Sequence, residues 1–256
     1  MADFDTQVRD ELVVIPARYR SSRLPGKPLV DIAGKPMIIR TAERCLLAVD
    51  REDVVVATDD ERIAEVVDAH GFRFEMTSPD HPTGGDRVAE VATRIPARTY
   101  INLQGDEPIF NPADITRVIE AARRDRTRTL MGYSPMPAYQ FHDTKFIKLL
   151  FSLDKRLIYV GRAPVPHGHK GEYTFAYRHV CIYAYPPEAL RLFASTGGRT
   201  ELELIEDHEI IRFLEMGHRV DVVKLSDESH PVDRASDVDV VVERLRREAT
   251  RSGAQA

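Results

Sequence analysis

Apolar residues fall along this chain in two alternating patterns. Short runs, LVVIPA (12–17), VVVAT (54–58), FRFEM (72–76) and TYINLQ (99–104), are bounded by polar or glycine-containing turns and predict strands buried in a sheet. The stretches between them repeat at helical spacing. After Gly34-Lys35-Pro36, the positions Ile38, Ile39, Ala42, Cys45 and Leu46 line one face of a helix, with Pro36 near its first position. DDERIAEVVDAHG places acids in a first turn and a stop at Gly71. SPDHPTGGD reads as a loop leading into the helix RVAEVATRI. In NPADITRVIEAARR, Asn111 caps, Pro112 takes the first helical position and Asp114 faces the dipole. Strands spaced by helices of this length predict an α/β fold with a doubly wound, mostly parallel sheet.

The pattern changes between residues 129 and 187. Aromatic and β-branched residues rise and helical spacing fades, which predicts a smaller antiparallel insertion. Helices return in TELELIEDHEIIRFLEMG (200–217), which opens with a Thr200…Glu203 capping box and closes at Gly217. RVDVVKL (219–225) is a further strand. A last helix is predicted from a second box, Ser236…Asp239. The whole, 1–256, reads as one domain, with 129–187 as its antiparallel subregion.

A doubly wound sheet binds ligands beyond the carboxyl ends of its strands. That rule selects the loops 18–34, 59–61, 77–87 and 104–111. The first, RYRSSRLPGKPL, is basic and irregular. It lacks the Walker A pattern, because Ser21 and Pro28 stand where Gly and Ser or Thr are required, and it lacks GxGxxG. Arg18, Arg23, Lys27 and the amides around Gly26 still suit a polyphosphate. In LQGDEP (103–108), Gly105 turns the chain and Asp106 stands at a strand mouth, where a carboxylate can hold Mg²⁺ beside phosphates or can cap the turn. Asp233 is a second, distant acid, placed either to join a metal site or to face a helix dipole. Gly84-Gly85 permits close approach to a flat ligand, and Asp86 and Arg87 read as site residues or as the first turn of the next helix.

Composition narrows the setting. The chain has 256 residues, 43% hydrophobic and 30% charged, and a net charge of -5 from 36 cations and 41 anions. That balance argues against nucleic acid or an anionic membrane as partner while allowing a local basic site. Two isolated cysteines, Cys45 and Cys181, fit neither a zinc cluster nor a disulfide framework. With no apolar signal segment and no long apolar run, the expected location is the cytoplasm.

Taken together, VVIPARYRSSRLPGKPLVDIAGKPMI, VVVATDDERIAEVV, MTSPDHPTGGDRVAEV, INLQGDEPIF, VGRAPVP, RHVCIYAY and ELELIEDHEIIRFLEMG resemble, in order, the 3-deoxy-manno-octulosonate (Kdo) cytidylyltransferase family over roughly residues 12–245. The resemblance implies a nucleotidyltransferase, Rossmann-like fold and CTP-dependent transfer of CMP to an acid, with release of pyrophosphate. It assigns Arg18, Lys27 and Asp106 to catalysis. CTP would meet Arg18, Arg23, Lys27, Thr83, Gly84, Gly85, Arg87 and Gln104, while Mg²⁺ would sit on Asp106 and Asp233. The acceptor would meet Arg162, His179, Tyr183, Tyr185, Glu209 and Arg212. A homodimer through the aromatic strand region is also implied. A nucleotide-binding module without chemistry and a metal-dependent pyrophosphatase are the rival readings; the presence of both Asp106 and Asp233 counts against the first.

The acceptor half departs from the family. Where members carry Glu-Gln-Leu-Arg, this chain reads Glu209-Ile210-Ile211-Arg212, and Asp207 and His208 replace apolar residues. Losing a hydrogen-bonding side chain at 210 weakens recognition of a sugar hydroxyl, and His208 and Arg234 add positive or titratable groups. These changes favour a smaller, more charged acceptor; the resemblance extends to relatives in phosphonate natural-product pathways and so implies a phosphonate such as phosphonoformate, with Kdo as the alternative.

Overall fold

The computed structural model describes residues 7–21, 24–226 and 228–253. Four strands, β1 (Arg9–Ala17), β2 (Val54–Thr58), β3 (Arg73–Met76) and β4 (Ala97–Leu103), pair in parallel in the order β3-β2-β1-β4. They alternate with α1 (Met37–Cys45), α2 (Glu61–Ala69) and α3 (Gly84–Ala92); α4 (Pro112–Arg124) follows β4. The sheet then continues through β8 (Tyr177–Tyr185), β5 (Thr129–Pro135) and β9 (Val220–Lys224). β8 is antiparallel to both β4 and β5, while β9 is parallel to β5, so every strand of this path except β8 points the same way.

The continuous apolar runs follow from burial on both faces. Leu12, Val14, Val55 and Ala57 face one core, closed by α3, α5 (Pro187–Ala194) and α7 (Ile210–Glu215). Val13, Ile15, Val54 and Val56 face the other, under α1, α2 and α4. A third cluster, built on Ile32, Met37, Ile109 and Val232, is covered by α8 (Ala235–Gly253) through Val241. Among the described residues no helix is long and apolar enough to cross a membrane.

Within the expected sheet, several local readings change. The antiparallel segment is not wholly peripheral: β8 is threaded into the main sheet, and only β6 (Lys148–Phe151) and β7 (Leu157–Gly161) lie off its path. The helix expected over 200–217 is two, α6 (Glu201–Glu206) and α7, because Asp207 takes a left-handed conformation with φ 53°. Its predicted capping box at Thr200 and Glu203 is present. At the last helix, Ser236 lies inside α8 rather than capping it; the Asp237 carboxylate instead accepts the amides of Asp233 and Arg234. Gly84 and Gly85 belong to the first turn of α3, which Thr83 and Asp86 close with a reciprocal capping box.

Candidate active site

A cleft of about 420 Å³ opens at the carboxyl ends of the parallel strands, where the topology requires it. Arg18, at the end of β1, lines it with Arg20, Ser21 and Lys27 from the basic loop. Arg23 lies outside the described residues. Gln104, Gly105, Asp106 and Glu107 enter from the end of β4, Thr83 and Gly84 from α3, and Asp233 from the segment before α8.

Lys27 joins these distant segments. Its Nζ lies 2.6 Å from Asp106 Oδ2 and 3.4 Å from Asp233 Oδ1. It is carried on a short 3₁₀ turn, Lys27–Leu29, preceded by Gly26 at φ 67°. Asp106 is aimed by the turn at Gly105, where a Cβ would stand 2.9 Å from the Pro16 carbonyl oxygen, too close for any other residue. Asp233 is brought alongside by backbone pairing: the Val232 amide donates to the Asp106 carbonyl at 2.9 Å and the His230 amide to that of Ile109 at 3.1 Å. Beneath them Glu107, only 2% exposed, accepts a hydrogen bond from the Ser229 hydroxyl. Burial, opposed by that bond and reinforced by Asp106, raises its pKa to about 7.

The residues expected at the base fall into two groups. Thr83, Gly84 and Gln104 reach the cleft. A Cβ on Gly84 would meet Pro16 Cγ at 3.0 Å and Gln104 Nε2 at 3.1 Å, so the glycine lets α3 pack against the neighbouring strand ends. Gly85 does not line the cleft; its amide donates to Glu209 Oε2 at 2.8 Å. Arg87 borders the cleft with its guanidinium committed to protein partners, Asp59 Oδ2 at 2.7 Å, Thr77 Oγ1 at 2.8 Å and the Ser78 carbonyl at 3.1 Å. It thereby ties the loops after β2 and β3 together.

A second wall comes from β8. Because β8 runs against β4, with Leu103 opposite Ile182, its first half extends past the end of β4 into the site. Period-two alternation then turns His179, Cys181 and Tyr183 to the cleft. Arg162 and His208 complete this wall, with Arg178 and Arg199 adding positive charge. Arg162 is held by the Glu206 carbonyl at 2.9 Å and that of Thr144 at 2.8 Å. Glu209 also borders the cleft, bonded to Asn102 Nδ2 at 3.1 Å and to the Tyr185 hydroxyl at 3.4 Å; burial raises its pKa, while the Gly85 amide opposes.

Three acceptor-side expectations are corrected. Arg212 is fully buried and does not reach the cleft; Asp86 and Glu203 each grip its guanidinium through two oxygens. Tyr185 is buried behind Glu209 and is likewise absent from the lining. Ile210, the departure that argued for a smaller acceptor, packs in the core with no exposed surface. Arg234 is exposed outside the cleft. Arg20 and Glu107, inside the basic loop and LQGDEP, and Arg178, beside His179, also line the cleft, although their motifs alone assign them no role there.

Comparison with known proteins agrees with this geometry. A family model described as Cytidylyltransferase matches residues 12–220. The chain is 42% identical over 248 residues to a 3-deoxy-manno-octulosonate cytidylyltransferase of Geobacter metallireducens, covering 91% of this chain and 97% of that protein. The chain belongs to the Kdo cytidylyltransferase family. A second member of the family, an 8-amino-3,8-dideoxy-manno-octulosonate cytidylyltransferase of Shewanella amazonensis, is 38% identical over 88% of this chain and 94% of its own. Among solved structures, a CMP:2-keto-3-deoxy-manno-octonic acid synthetase complexed with CTP superposes with a TM-score of 0.87 at 34% identity, covering 93% of this chain and 99% of that one. The family membership bears out the enzyme class. Between the two acceptor readings, these relatives favour the Kdo alternative over phosphonoformate.

Proposed function

We propose that this cytidylyltransferase transfers CMP from CTP to Kdo or its 8-amino analogue. The observation that carries the reading is the meeting in one cleft of Arg18, Arg20, Lys27, Asp106 and Asp233 with a second set, Arg162, Arg178, His179, Tyr183 and His208. The first set suits a triphosphate, and the second suits a hydroxylated carboxylic acid. Relatives named for both sugar acids, and a neighbour solved with CTP, support it.

In this reading a hydroxyl oxygen of the acceptor attacks the α-phosphorus of CTP in line. The new O–P bond forms as the bond to the bridging β-phosphate oxygen breaks; pyrophosphate leaves and the hydroxyl proton passes to solvent. Arg18 and Lys27 hold the phosphates and neutralise charge on the departing pyrophosphate. Thr83, Gly84 and Gln104 form the wall against which the cytosine is placed. Arg162 and Arg178 hold the acceptor's carboxylate, fixing its hydroxyl for attack. Positioning and charge supply the catalysis, and no side chain is needed as a covalent nucleophile.

Asp106 and Asp233 suit Mg²⁺. Both are hard oxygen donors, and both already face one cation, the Lys27 ammonium. Asp106 and Asp233 would hold the ion, with phosphate oxygens of the bound nucleotide and water as its other ligands. When bound, the ion supplies charge neutralisation at the phosphates. A homodimer belongs to the same reading, supported by exposed Tyr139, Ile158 and Phe175 in the segment 129–187.

The test is pyrophosphate release from CTP with Kdo, 8-amino-3,8-dideoxy-manno-octulosonate and phosphonoformate, each alone and against a blank. Turnover with a sugar acid and none in the blank is expected. Turnover with phosphonoformate alone, or equal release without acceptor, would overturn the proposal.

A further inference from the structure

Two acceptor-side departures from the family pattern, Asp207 and His208, line the cleft, and of the two His208 is the buried one. The left-handed turn at Asp207 ends α6 and places His208 between the two short helices, 5% exposed. Its Nδ1 accepts the Ile210 amide at 3.3 Å, so the neutral ring carries its proton on Nε2. That Nε2 has no hydrogen-bond partner, although it is shielded from water. The His179 ring lies against it edge to face, with centroids 4.6 Å apart, and His179 Nε2 is orphaned as well. Buried polar groups in folded proteins are almost always satisfied, and these two exceptions lie side by side on the wall of one cleft.

The tautomer limits what that ligand can present. His208 Nε2–H is a donor and Nδ1 is already engaged, so the group meeting it must be an acceptor oxygen. Burial, helped by Arg162 and opposed by Asp207, lowers the pKa of His208 to about 4, so the ring is neutral in ordinary buffers. His179 is held well below its usual value by burial, with His208 and Arg178 adding to the effect. An ammonium group, with donors only, has no match at His208.

We infer that His208 is a specificity-determining residue of the acceptor site, its Nε2–H hydrogen-bonding an oxygen of the bound sugar acid beside His179. The inference rests on the proposed transfer to a sugar acid, and it gives to position 208 the polar recognition that Ile210, turned into the core, does not supply.

The test compares wild type with His208→Leu and His208→Gln by steady-state kinetics, using Kdo and CTP as separately varied substrates. In the Leu variant the KM for Kdo should rise roughly tenfold, as for the loss of one buried hydrogen bond, while the KM for CTP stays put. The Gln variant, which restores a donor, should recover part of that loss. If the Leu variant fails to fold, His208→Phe keeps a ring without nitrogens and carries the same expectation. An unchanged KM for Kdo, or a parallel rise in both KM values, overturns the inference and leaves the sugar-acid reading standing. A wild-type enzyme inactive with both sugar acids removes both.

Discussion

Replacing Arg212 with Met should destabilise the protein without a selective effect on the acceptor. The guanidinium has no exposed surface and lies 3.7 Å from the Phe193 ring centroid. Its Nε and Nη2 bond to Glu203 at 2.7 and 2.9 Å, and Nη1 and Nη2 to Asp86 at 2.7 and 3.2 Å. Glu203 is fully buried and Asp86 is 8% exposed, so removing the cation strands two carboxylates out of water. Breaking a buried pair from one side costs about 3–5 kcal/mol. For a chain of this size that lowers Tm by roughly 6–20 °C. Arg212→Lys should fall between, because one ammonium cannot fork to two carboxylates. Thermal and urea unfolding measure the loss, and KM values for CTP and Kdo, taken well below the lowered Tm, separate it from a binding effect. The reasoning is refuted if Arg212→Met melts within about 2 °C of wild type, less than 1 kcal/mol is worth here, while the KM for Kdo rises selectively.

Two further outcomes follow from the other buried and converging charges. Asp106→Asn should abolish pyrophosphate release while CTP still binds by calorimetry; activity near wild type would remove Asp106 from the catalytic group. For Glu107, burial raises the pKa from 4.5 to about 7. Its protonated form is therefore favoured by folding: that contribution is full below pH 4.5, fades as pH rises and is gone above about 7. Its limiting size is about 3 kcal/mol. Urea midpoints measured from pH 4.5 to 8 should consequently fall less steeply in Glu107→Gln than in wild type; identical slopes would show that Glu107 does not titrate in this window.

The parallel half of the sheet was legible because each of its signals is local. The runs at 12–17 and 54–58 are apolar because both faces are covered, and the caps at Asn111 and Thr200 use neighbours only a few residues away. The break at Asp207 was not legible, since Thr200 to Gly217 has continuous helical spacing and an Asp in the left-handed region leaves little trace in sequence. Gly84 and Gly85 read alike as ligand contacts, but only Gly84 lines the cleft; the Gly85 amide is turned to Glu209. Arg212 reads as an acceptor residue because an arginine in a family motif looks available, and its burial depends on what lies opposite.

By itself, the sequence determined the succession of strands and helices, the end of the sheet at which the cleft opens and, through its motifs, the family. These follow from periodicity and from the chirality of the strand–helix–strand crossover, which few alternative chain paths satisfy. The tertiary structure decided which charges meet. Lys27 touches carboxylates 79 and 206 positions away, and the reversal of β8 alone carries His179 past the end of β4 toward His208. Whether a charged or polar side chain serves a ligand or a neighbour is set by the groups facing it in space, and those come from segments whose sequences carry no record of one another.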